Sequence, residues 1–245
     1  MDLKILFENE EIVAVDKPAG VMTHPDATTT DETASDWFAR TYPASVEVGE
    51  TQYLVNGKEL HRPGVVHRLD RETSGVLVFC KTKEAHAHLK EAFKSRDVQK
   101  TYLAFTYGVP KEREGVIDFA IGRSRKDFRL RSAQPKARGT MRDAITHYRV
   151  VSDIGTHSLI EAKPRTGRTH QIRVHLKAIH HPIVCDSLYA PKRPCDLGLP
   201  RLGLHAYGLE IPLISGERVS ITSPIPADMA EAVKKFPETE YLRSA

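Results

Sequence analysis

The sequence predicts an α+β protein in which many strands and a few interspersed helices build a mixed or antiparallel sheet. Short apolar and β-branched runs predict strands at residues 12–15, 65–66, 76–80, 100–109, 145–151, 158–163, 204–211 and 218–222. Apolar residues at helical spacing predict helices at residues 34–41, 84–96, 169–179 and 226–236. No repeat, low-complexity tract or linker divides the chain, so we expect one domain covering residues 1–245.

Turn-forming and polar stretches separate these elements. Lys17-Pro18-Ala19-Gly20 ends the first strand, and residues 42–64 read as a loop in which Asn56-Gly57 suits a hairpin turn. Residues 122–149 contain nine basic and two acidic residues and predict an exposed hairpin or loop.

Charge is unevenly distributed along the chain. The total, 36 − 32 = +4, decides nothing, but residues 1–60 carry 4 basic against 12 acidic side chains. Residues 81–149 carry 17 against 8, and residues 161–205 carry 8 against 3. Such segregation is expected where one face meets a polyanion, although an unevenly sampled solvated surface would look the same.

Several protein classes are excluded or disfavoured. No apolar run approaches the roughly 18–20 residues needed to span a bilayer, and the first residues lack the features of a secretory signal. Three cysteines, Cys80, Cys185 and Cys195, are an odd and sparse set that implies no disulfide framework. We therefore expect a protein of the reducing cytoplasm, and by default a monomer.

Two segments concentrate side chains that could carry chemistry. The first surrounds Asp70 between two apolar runs, although Asp followed by Thr-Ser-Gly is also ordinary turn chemistry. His67, Asp70 and Ser74 could be read as a hydrolase triad, but no Gly-x-Ser-x-Gly elbow is present. The second, residues 165–175, packs three Arg and two His around a helix start, a pattern that suits an anion or arginines that pair with buried acids.

Metal and cofactor signatures are absent from the sequence. His170, His175, His180 and His181 precede Cys185 and Cys195, but their spacing matches no zinc motif. No phosphate-binding or dinucleotide-binding glycine pattern opens a helix. These negatives favour a reaction that needs no metal and no organic cofactor. Tyr102 is most simply a strand aromatic in the core, and it is functional only if its hydroxyl reaches a cleft.

Residues 67–75, with the sequence HRLDRETSG, resemble the signature of the RluA family of pseudouridine synthases. Four further segments resemble family motifs in the same order: DKPAG at 16–20, KTYLA at 100–104, TGRTHQIRVH at 166–175 and RLGLHA at 201–206. The resemblance implies the pseudouridine synthase fold, in which a mixed, largely antiparallel sheet lies in two halves flanking a central catalytic cleft. It implies isomerisation of uridine in RNA to pseudouridine, which conserves all atoms and needs no cofactor.

The resemblance also implies roles for particular residues. Asp70 would be the catalytic aspartate, Arg173 would pair with it, and Tyr102 would stack on the uracil and help to remove the carbon-5 proton. Arg68 would fill the space left by the flipped uridine, and Leu204 would form an apolar wall of the pocket. Lys17, with Pro18, would support Tyr102. The expected RNA- and base-binding residues are Arg68, Arg168, His170, Leu204 and Lys17.

The expected partner is RNA, either ribosomal or transfer RNA, without a metal or a membrane. Many members of the family carry an S4-like module before the catalytic domain, and because the DKPAG motif starts at residue 16 we expect none here. The alternatives are an RNA-binding or RNA-folding factor whose catalysis is secondary, and a metal-dependent hydrolase.

Overall fold

The structure is a computed structural model and describes residues 1–26, 31–53, 59–125, 127, 130–133 and 138–239. Its chain divides into two units, each built from two separate stretches of sequence. The first contains Met1–Val98 and Gly208–Ser223, and the second contains Gln99–Tyr207 and Pro224–Ala245.

Strands outnumber helices in the described residues. In chain order the elements are β1 (Lys4–Glu8), β2 (Ile12–Lys17), α1 (Ala34–Thr41), β3 (Gly49–Tyr53), β4 (Glu59–Pro63), β5 (Ser74–Cys80), α2 (Lys83–Ser95), β6 (Gln99–Tyr107), β7 (Glu114–Asp118), β8 (Ile121–Arg123), β9 (Arg131–Ser132), β10 (Arg138–Arg142), β11 (Ile145–Asp153), β12 (His157–Pro164), α3 (Gln171–Ala178), β13 (Leu204–Pro212), β14 (Arg218–Thr222) and α4 (Ala227–Val233).

The first unit is organised around β1, β2 and β5, which are antiparallel neighbours in that order. Alternate residues of these strands, such as Ile12 and Val78, pack against Leu89 of α2 in one apolar cluster. Strands β3 and β4 form a separate hairpin, and β14 pairs with the last five residues of β13. The buried strands β2 and β5 therefore form a fixed base for the loops at their ends.

The second unit contains the antiparallel strands β6, β12, β11 and β7 in that order. Phe105 of β6 belongs to a cluster with Met229 of α4, whereas its neighbour Ala104 belongs to a cluster with Ile172 and Leu176 of α3. Because successive side chains of a strand point to opposite faces, α3 and α4 cover opposite faces of this sheet. Strand β8 pairs with both β9 and β10 in a smaller sheet.

The predicted α+β class with a largely antiparallel sheet is confirmed. The helix predicted at residues 34–41 coincides with α1, which Thr33 begins with a capping box to Asp36. Strands at 12–15, 76–80, 100–109, 145–151, 158–163, 204–211 and 218–222 and helices at 84–96, 169–179 and 226–236 are found with small shifts of their ends.

Two expectations about local structure were wrong, and a third is not tested. Residues 49–53 and 59–63, expected as loop, pair as β3 and β4, which are too polar to show a strand pattern. The strand expected at residues 65–66 is a single bridge from Val65 to Phe79. The hairpin turn expected at Asn56-Gly57 lies outside the described residues.

Cys185 and Cys195 form a disulfide with Cα atoms 4.5 Å apart, a bonded pair that the odd and sparse set of cysteines did not imply. Cys80 is a buried thiol in the first unit, and burial raises its pKa above the ordinary range.

Among the described residues no helix is both long and apolar enough to cross a membrane.

Candidate active site

Asp70 lies on a loop of the first unit, and hydrogen bonds fix the backbone on both sides of it. The backbone N–H of Leu69 donates to Thr23 Oγ1 at 3.1 Å, and Thr23 Oγ1 donates to the Leu69 carbonyl at 3.0 Å. On the other side, Thr73 N–H donates to the Asp70 carbonyl at 3.0 Å and closes a turn that leads into β5. Asp70 itself is half-buried. A carboxylate residue is thus held in a defined backbone position, as a catalytic group requires.

Lys17, at the end of β2, is completely buried beneath this loop. Its ammonium group donates to the carbonyls of Pro18 at 2.8 Å, Val21 at 2.7 Å and Arg71 at 3.2 Å. No part of Lys17 is exposed, and the RNA contact expected of it stays a prediction. Lys17 ties the turn after β2 to the residue that follows Asp70.

A reciprocal pair of hydrogen bonds reinforces the same junction. Gly20 N–H donates to the Arg71 carbonyl at 2.8 Å, and Arg71 Nε donates to the Gly20 carbonyl at 2.9 Å. Gly20 has φ +85°, a conformation that favours glycine and explains why this turn contains one. Two reciprocal hydrogen bonds thus join the turn at 17–20 to the Asp70 loop.

Arg68 is exposed, and its Nη1 lies 3.4 Å from Nε2 of the buried His24. The other ring nitrogen of His24 lies 2.9 Å from the Pro25 carbonyl, which can only accept, so Nδ1 carries the hydrogen. Burial lowers the pKa of His24, which favours the neutral ring with Nε2 as acceptor for Arg68. Arg68, an exposed arginine two residues before Asp70, is therefore hydrogen-bonded to His24.

The hydrolase reading of His67, Asp70 and Ser74 is not favoured by the local geometry. His67 Nε2 accepts a hydrogen bond from Val78 N–H at 3.0 Å, and its ring stacks on Phe93 with centroids 4.8 Å apart. A nitrogen that accepts a backbone N–H does not offer its lone pair to Ser74. His67 therefore belongs to the scaffold of the loop.

In the second unit, Tyr102 lies on β6 opposite Ala162 of β12. It is partly buried and packs against the cluster that contains Ile172 of α3 and Leu204 at the start of β13. Leu204 is 3% exposed. The structure thus brings together Tyr102, Leu204 and helix α3, three elements that the sequence assigned to one site.

Arg173 of α3 is held by Asp186, a residue that sequence reasoning did not single out. Arg173 Nε donates to Asp186 Oδ2 at 2.8 Å and Nη2 donates to Oδ1 at 2.7 Å, and both side chains are nearly inaccessible. The guanidinium carbon also lies 5.0 Å from the centre of the Tyr189 ring. Asp70 belongs to the first unit and Arg173 to the second, so their expected pairing stays a prediction.

Arg168 and His170 lie at the start of α3, where each has a partner within the second unit. Arg168 Nε donates to the Asp143 carbonyl at 3.1 Å, and its backbone N–H donates to Gln171 Oε1 at 3.0 Å. His170 adopts φ +57°, and its Nδ1 lies 2.9 Å from the Tyr189 hydroxyl. These contacts fix the turn, and RNA contacts by Arg168 and His170 stay a prediction.

A basic groove of about 590 Å³ opens beside this turn, wholly within the second unit. It is lined by residues of β8, β9 and β10 and by residues 167–169, and four of its lining residues are the arginines Arg123, Arg131, Arg142 and Arg168. None of the described lining residues is acidic. The predicted exposed basic segment at residues 122–149 contributes most of this wall.

The histidines whose spacing matched no zinc motif have other partners in the structure. His175 lies 3.0 Å from Thr146 Oγ1 and 2.9 Å from the Phe119 carbonyl, and His181 lies 3.0 Å from the Tyr107 carbonyl. Within the described ranges, no group of three or more His, Cys, Asp or Glu side chains could hold a metal ion.

Sequence reasoning missed Asp186, Tyr189 and Thr23. Asp186 lies 13 residues beyond Arg173 with no periodic relation to it, and Thr23 is 46 residues from Leu69. The one usable signal was the group of arginines at 165–173, for which a buried acid was among the expected partners.

Comparisons with known proteins place these residues in a family context. A family model described as RNA pseudouridylate synthase matches residues 11–178, which include Asp70, Tyr102 and Arg173. An uncharacterised RNA pseudouridine synthase of Synechocystis is 37% identical over 226 residues, which are 92% of this chain and 66% of that relative. The ribosomal large subunit pseudouridine synthase D of Nitrosomonas europaea is 36% identical, with 98% of this chain and 68% of its own length covered.

Solved structures give the same result. Human RNA pseudouridylate synthase domain containing 4 aligns with a TM-score of 0.72 and 26% identity, covering 95% of this chain and 92% of that one. Human RNA pseudouridylate synthase domain containing 1 aligns with a TM-score of 0.70 and 28% identity, covering 92% and 84%. As the motifs around Asp70 and Arg173 predicted, the chain belongs to the family of RNA pseudouridylate synthases.

Proposed function

We propose that this chain is a cytoplasmic isomerase that converts uridine to pseudouridine in ribosomal or transfer RNA, with Asp70 as the essential residue. The observation that carries the proposal is the fixed position of Asp70 between two hydrogen-bonded residues. Leu69, before it, is hydrogen-bonded to Thr23, and the Arg71 carbonyl, after it, accepts a hydrogen bond from Lys17. This loop lies inside the segment that matches the family model. The chain spans 66% of the length of its Synechocystis relative, so the activity of the whole protein is part of the proposal.

The reaction breaks the N1–C1′ bond of uridine, rotates the uracil and forms a C5–C1′ bond. Asp70 acts on the ribose, as nucleophile or as base, and the proton on carbon 5 must then be removed. Tyr102 stacks on the uracil and assists that step. All atoms of the substrate are retained in the product, so the proposed reaction needs no cofactor.

Arg173 pairs with Asp70 and orients its carboxylate in this proposal. The bidentate contact with Asp186 uses Nε and Nη2 of Arg173, and this fixes the plane and direction of the guanidinium. We expect Arg173 to pair with Asp70 when the enzyme is active.

We propose that Arg68 and Leu204 act when the target uridine is flipped out of its stack. Arg68 is exposed two residues before Asp70, and we propose that it occupies the space left when the uridine leaves its stack. Leu204 belongs to the cluster against which Tyr102 packs, so it can form an apolar wall for the uracil. Lys17 does not touch RNA in this scheme but holds the Asp70 loop.

The basic groove supplies the proposed path of the RNA backbone. Four arginines and no described acid line it, and arginine forks suit phosphate oxygens. The same groove would serve an RNA-binding or RNA-folding factor whose catalysis is secondary, which is why that function remains the second candidate.

Asp70→Asn separates the two candidates. We expect this variant to fold and to bind RNA as the wild type does, but to form no pseudouridine when cellular RNA from a strain lacking the gene is used as substrate. Pseudouridine mapping would identify the modified position in the wild-type reaction. Retained modification by Asp70→Asn would overturn the mechanism.

Two further measurements complete this test. A strain that carries Asp70→Asn and grows as the wild type does under conditions where the deletion does not would favour the RNA-binding factor. The isomerisation should also persist in a strong chelator, and its loss there would favour metal-dependent chemistry instead.

A further inference from the structure

The disulfide between Cys185 and Cys195 closes a short loop of the second unit that is separate from the residues of the proposed chemistry. The two cysteines are ten positions apart, and their Cα atoms are separated by 4.5 Å, within the ordinary range for a disulfide. Cys195 is exposed and Cys185 is partly buried, so a small thiol can reach the bond.

Cys185 has a backbone conformation that its side chain disfavours. Its φ is +60°, in the left-handed region, which costs a non-glycine residue about 1 kcal/mol or more. An unusual conformation of this kind persists only where the surroundings impose it. The disulfide is one such constraint, because it ties the Cys185 side chain to the far end of the loop.

The loop between the cysteines carries the groups that hold Arg173 and His170. Asp186 directly follows Cys185 and binds Arg173 through both carboxylate oxygens. Asp186 Oδ1 also accepts the N–H of Leu188 at 3.0 Å and of Tyr189 at 2.9 Å. These contacts join the backbone at Cys185 to the guanidinium of Arg173 through a single carboxylate.

Tyr189 extends the same connection to the basic groove. Its hydroxyl lies 2.9 Å from His170 Nδ1 and accepts the N–H of Arg131 at 2.9 Å. Arg131 and the residues just before His170 line that groove. A change in the conformation of the loop between the cysteines would therefore alter the position of Arg173 and of residues that line the groove.

We propose that the Cys185–Cys195 pair is a reversible redox modification site that controls how firmly Asp186 holds Arg173. The disulfide form keeps Cys185 left-handed and Asp186 in its bidentate contact. The dithiol form lets Cys185 relax and loosens that contact. The effect on catalysis rests on the proposed function, whereas formation of the disulfide does not.

The modification is an ordinary thiol–disulfide exchange with a small disulfide such as oxidised glutathione. The exposed Cys195 thiolate attacks one sulfur of the oxidant, forms a mixed disulfide and releases one thiolate. The Cys185 thiolate then attacks the Cys195 sulfur and releases the second thiolate. The two cysteines lose two electrons and two protons, and the oxidant is reduced to two thiols. In a reducing cytoplasm such a bond is expected to be transient and regulatory rather than structural.

Alkylation followed by mass spectrometry tests formation of the bond without reference to activity. After incubation with dithiothreitol, native protein should gain two labels, on Cys185 and Cys195. After incubation with oxidised glutathione it should gain none. The buried Cys80 should react only after unfolding in both states, and so serves as the internal control. Two labels after oxidation would overturn the proposal.

The melting temperature and the turnover number of the oxidised and reduced protein test the effect of the disulfide on Arg173. The oxidised protein should melt about 5–10 °C higher than the reduced one, as expected for a loop of this size. Reduction should lower kcat for pseudouridine formation at least threefold and leave KM for RNA unchanged, since Arg173 acts on the reacting groups.

Two variants separate the bond from the backbone conformation. Cys195→Ser should behave as the reduced wild type under both redox conditions. Cys185→Gly should be insensitive to redox conditions yet keep the kcat of the oxidised enzyme, because glycine adopts φ +60° without strain. Equal kcat for oxidised and reduced wild type would overturn the proposal. If no pseudouridine forms in either state, the proposed function fails, while labelling and melting still decide the modification.

Discussion

Arg173 and Asp186 form a buried bidentate ion pair, with Nε 2.8 Å from Oδ2 and Nη2 2.7 Å from Oδ1. The exposed fraction of the side chain is 6% for Arg173 and 0% for Asp186. The Asp186 carboxylate also accepts two backbone N–H groups, so almost all of its acceptor capacity is used. Such a pair fixes one geometry, because losing either partner leaves an uncompensated charge in the interior.

Replacing Asp186 should therefore be costly for both folding and catalysis. We expect Asp186→Asn to lower the free energy of unfolding by about 3–5 kcal/mol, measured by urea denaturation. Asp97→Asn, at the exposed pair of Asp97 with Arg218, is the control and should leave the denaturation midpoint unchanged.

The double variant Arg173→Met/Asp186→Leu separates stability from chemistry. Apolar residues of similar volume can replace a buried ion pair at little cost, so we expect its stability to exceed that of Asp186→Asn. It should nevertheless form no pseudouridine. Activity in this double variant would show that Arg173 is not required.

Lys17→Met should weaken the support of the Asp70 loop. It removes the shared donor of the Pro18, Val21 and Arg71 carbonyls, and we expect a loss of about 3 kcal/mol in the free energy of unfolding. The rate of pseudouridine formation should fall more than RNA affinity does, because Lys17 is buried. Lys83→Met, at an exposed position of α2, is the matched control. Weakened RNA binding with an unchanged rate would show that Lys17 acts as an RNA-binding residue.

The basic groove predicts a measurable salt dependence of RNA binding. Arg123→Gln and Arg142→Gln should each lower affinity and reduce the slope of log K against log salt by about one. Arg113→Gln serves as the control, because Arg113 pairs with Asp153 and does not line the groove. If both groove variants show the same slope as the wild type, the RNA backbone does not bind in the basic groove.

His175 predicts a loss of stability in mild acid. Burial lowers its pKa from the ordinary 6.5, so the unfolded chain takes up a proton at a higher pH than the folded chain does. The stabilising effect of the neutral ring is complete above pH 6.5 and is lost as the pH falls below it, by at most about 1.4 kcal/mol per pH unit. His24 and His157 shift in the same direction and add to the slope.

His175→Gln isolates this contribution, because an amide can still bond to Thr146 Oγ1 and the Phe119 carbonyl. Urea denaturation between pH 7.5 and 5 should show a shallower decline for the variant than for the wild type. Parallel curves would mean that the folded protein protonates His175 as readily as the unfolded chain does.

Local patterns were sufficient for much of the fold. The apolar spacing at residues 34–41 and the buried runs of β2 and β5 predicted elements that the structure contains. The hairpin of β3 and β4 escaped prediction because its residues are mostly polar and exposed, so no alternation marks its faces. Its strands are defined by pairing with each other.

The sequence by itself determined the family and the loop that carries Asp70, because long motifs of unusual composition are visible without any contact. Only the tertiary structure decided what each charged side chain does. Lys17, expected at the RNA, is buried against three carbonyls, and Arg173 is bound to Asp186. A charged residue has the same letter in the core and at the surface, and its role depends on which distant acceptors the chain path brings within hydrogen-bonding distance.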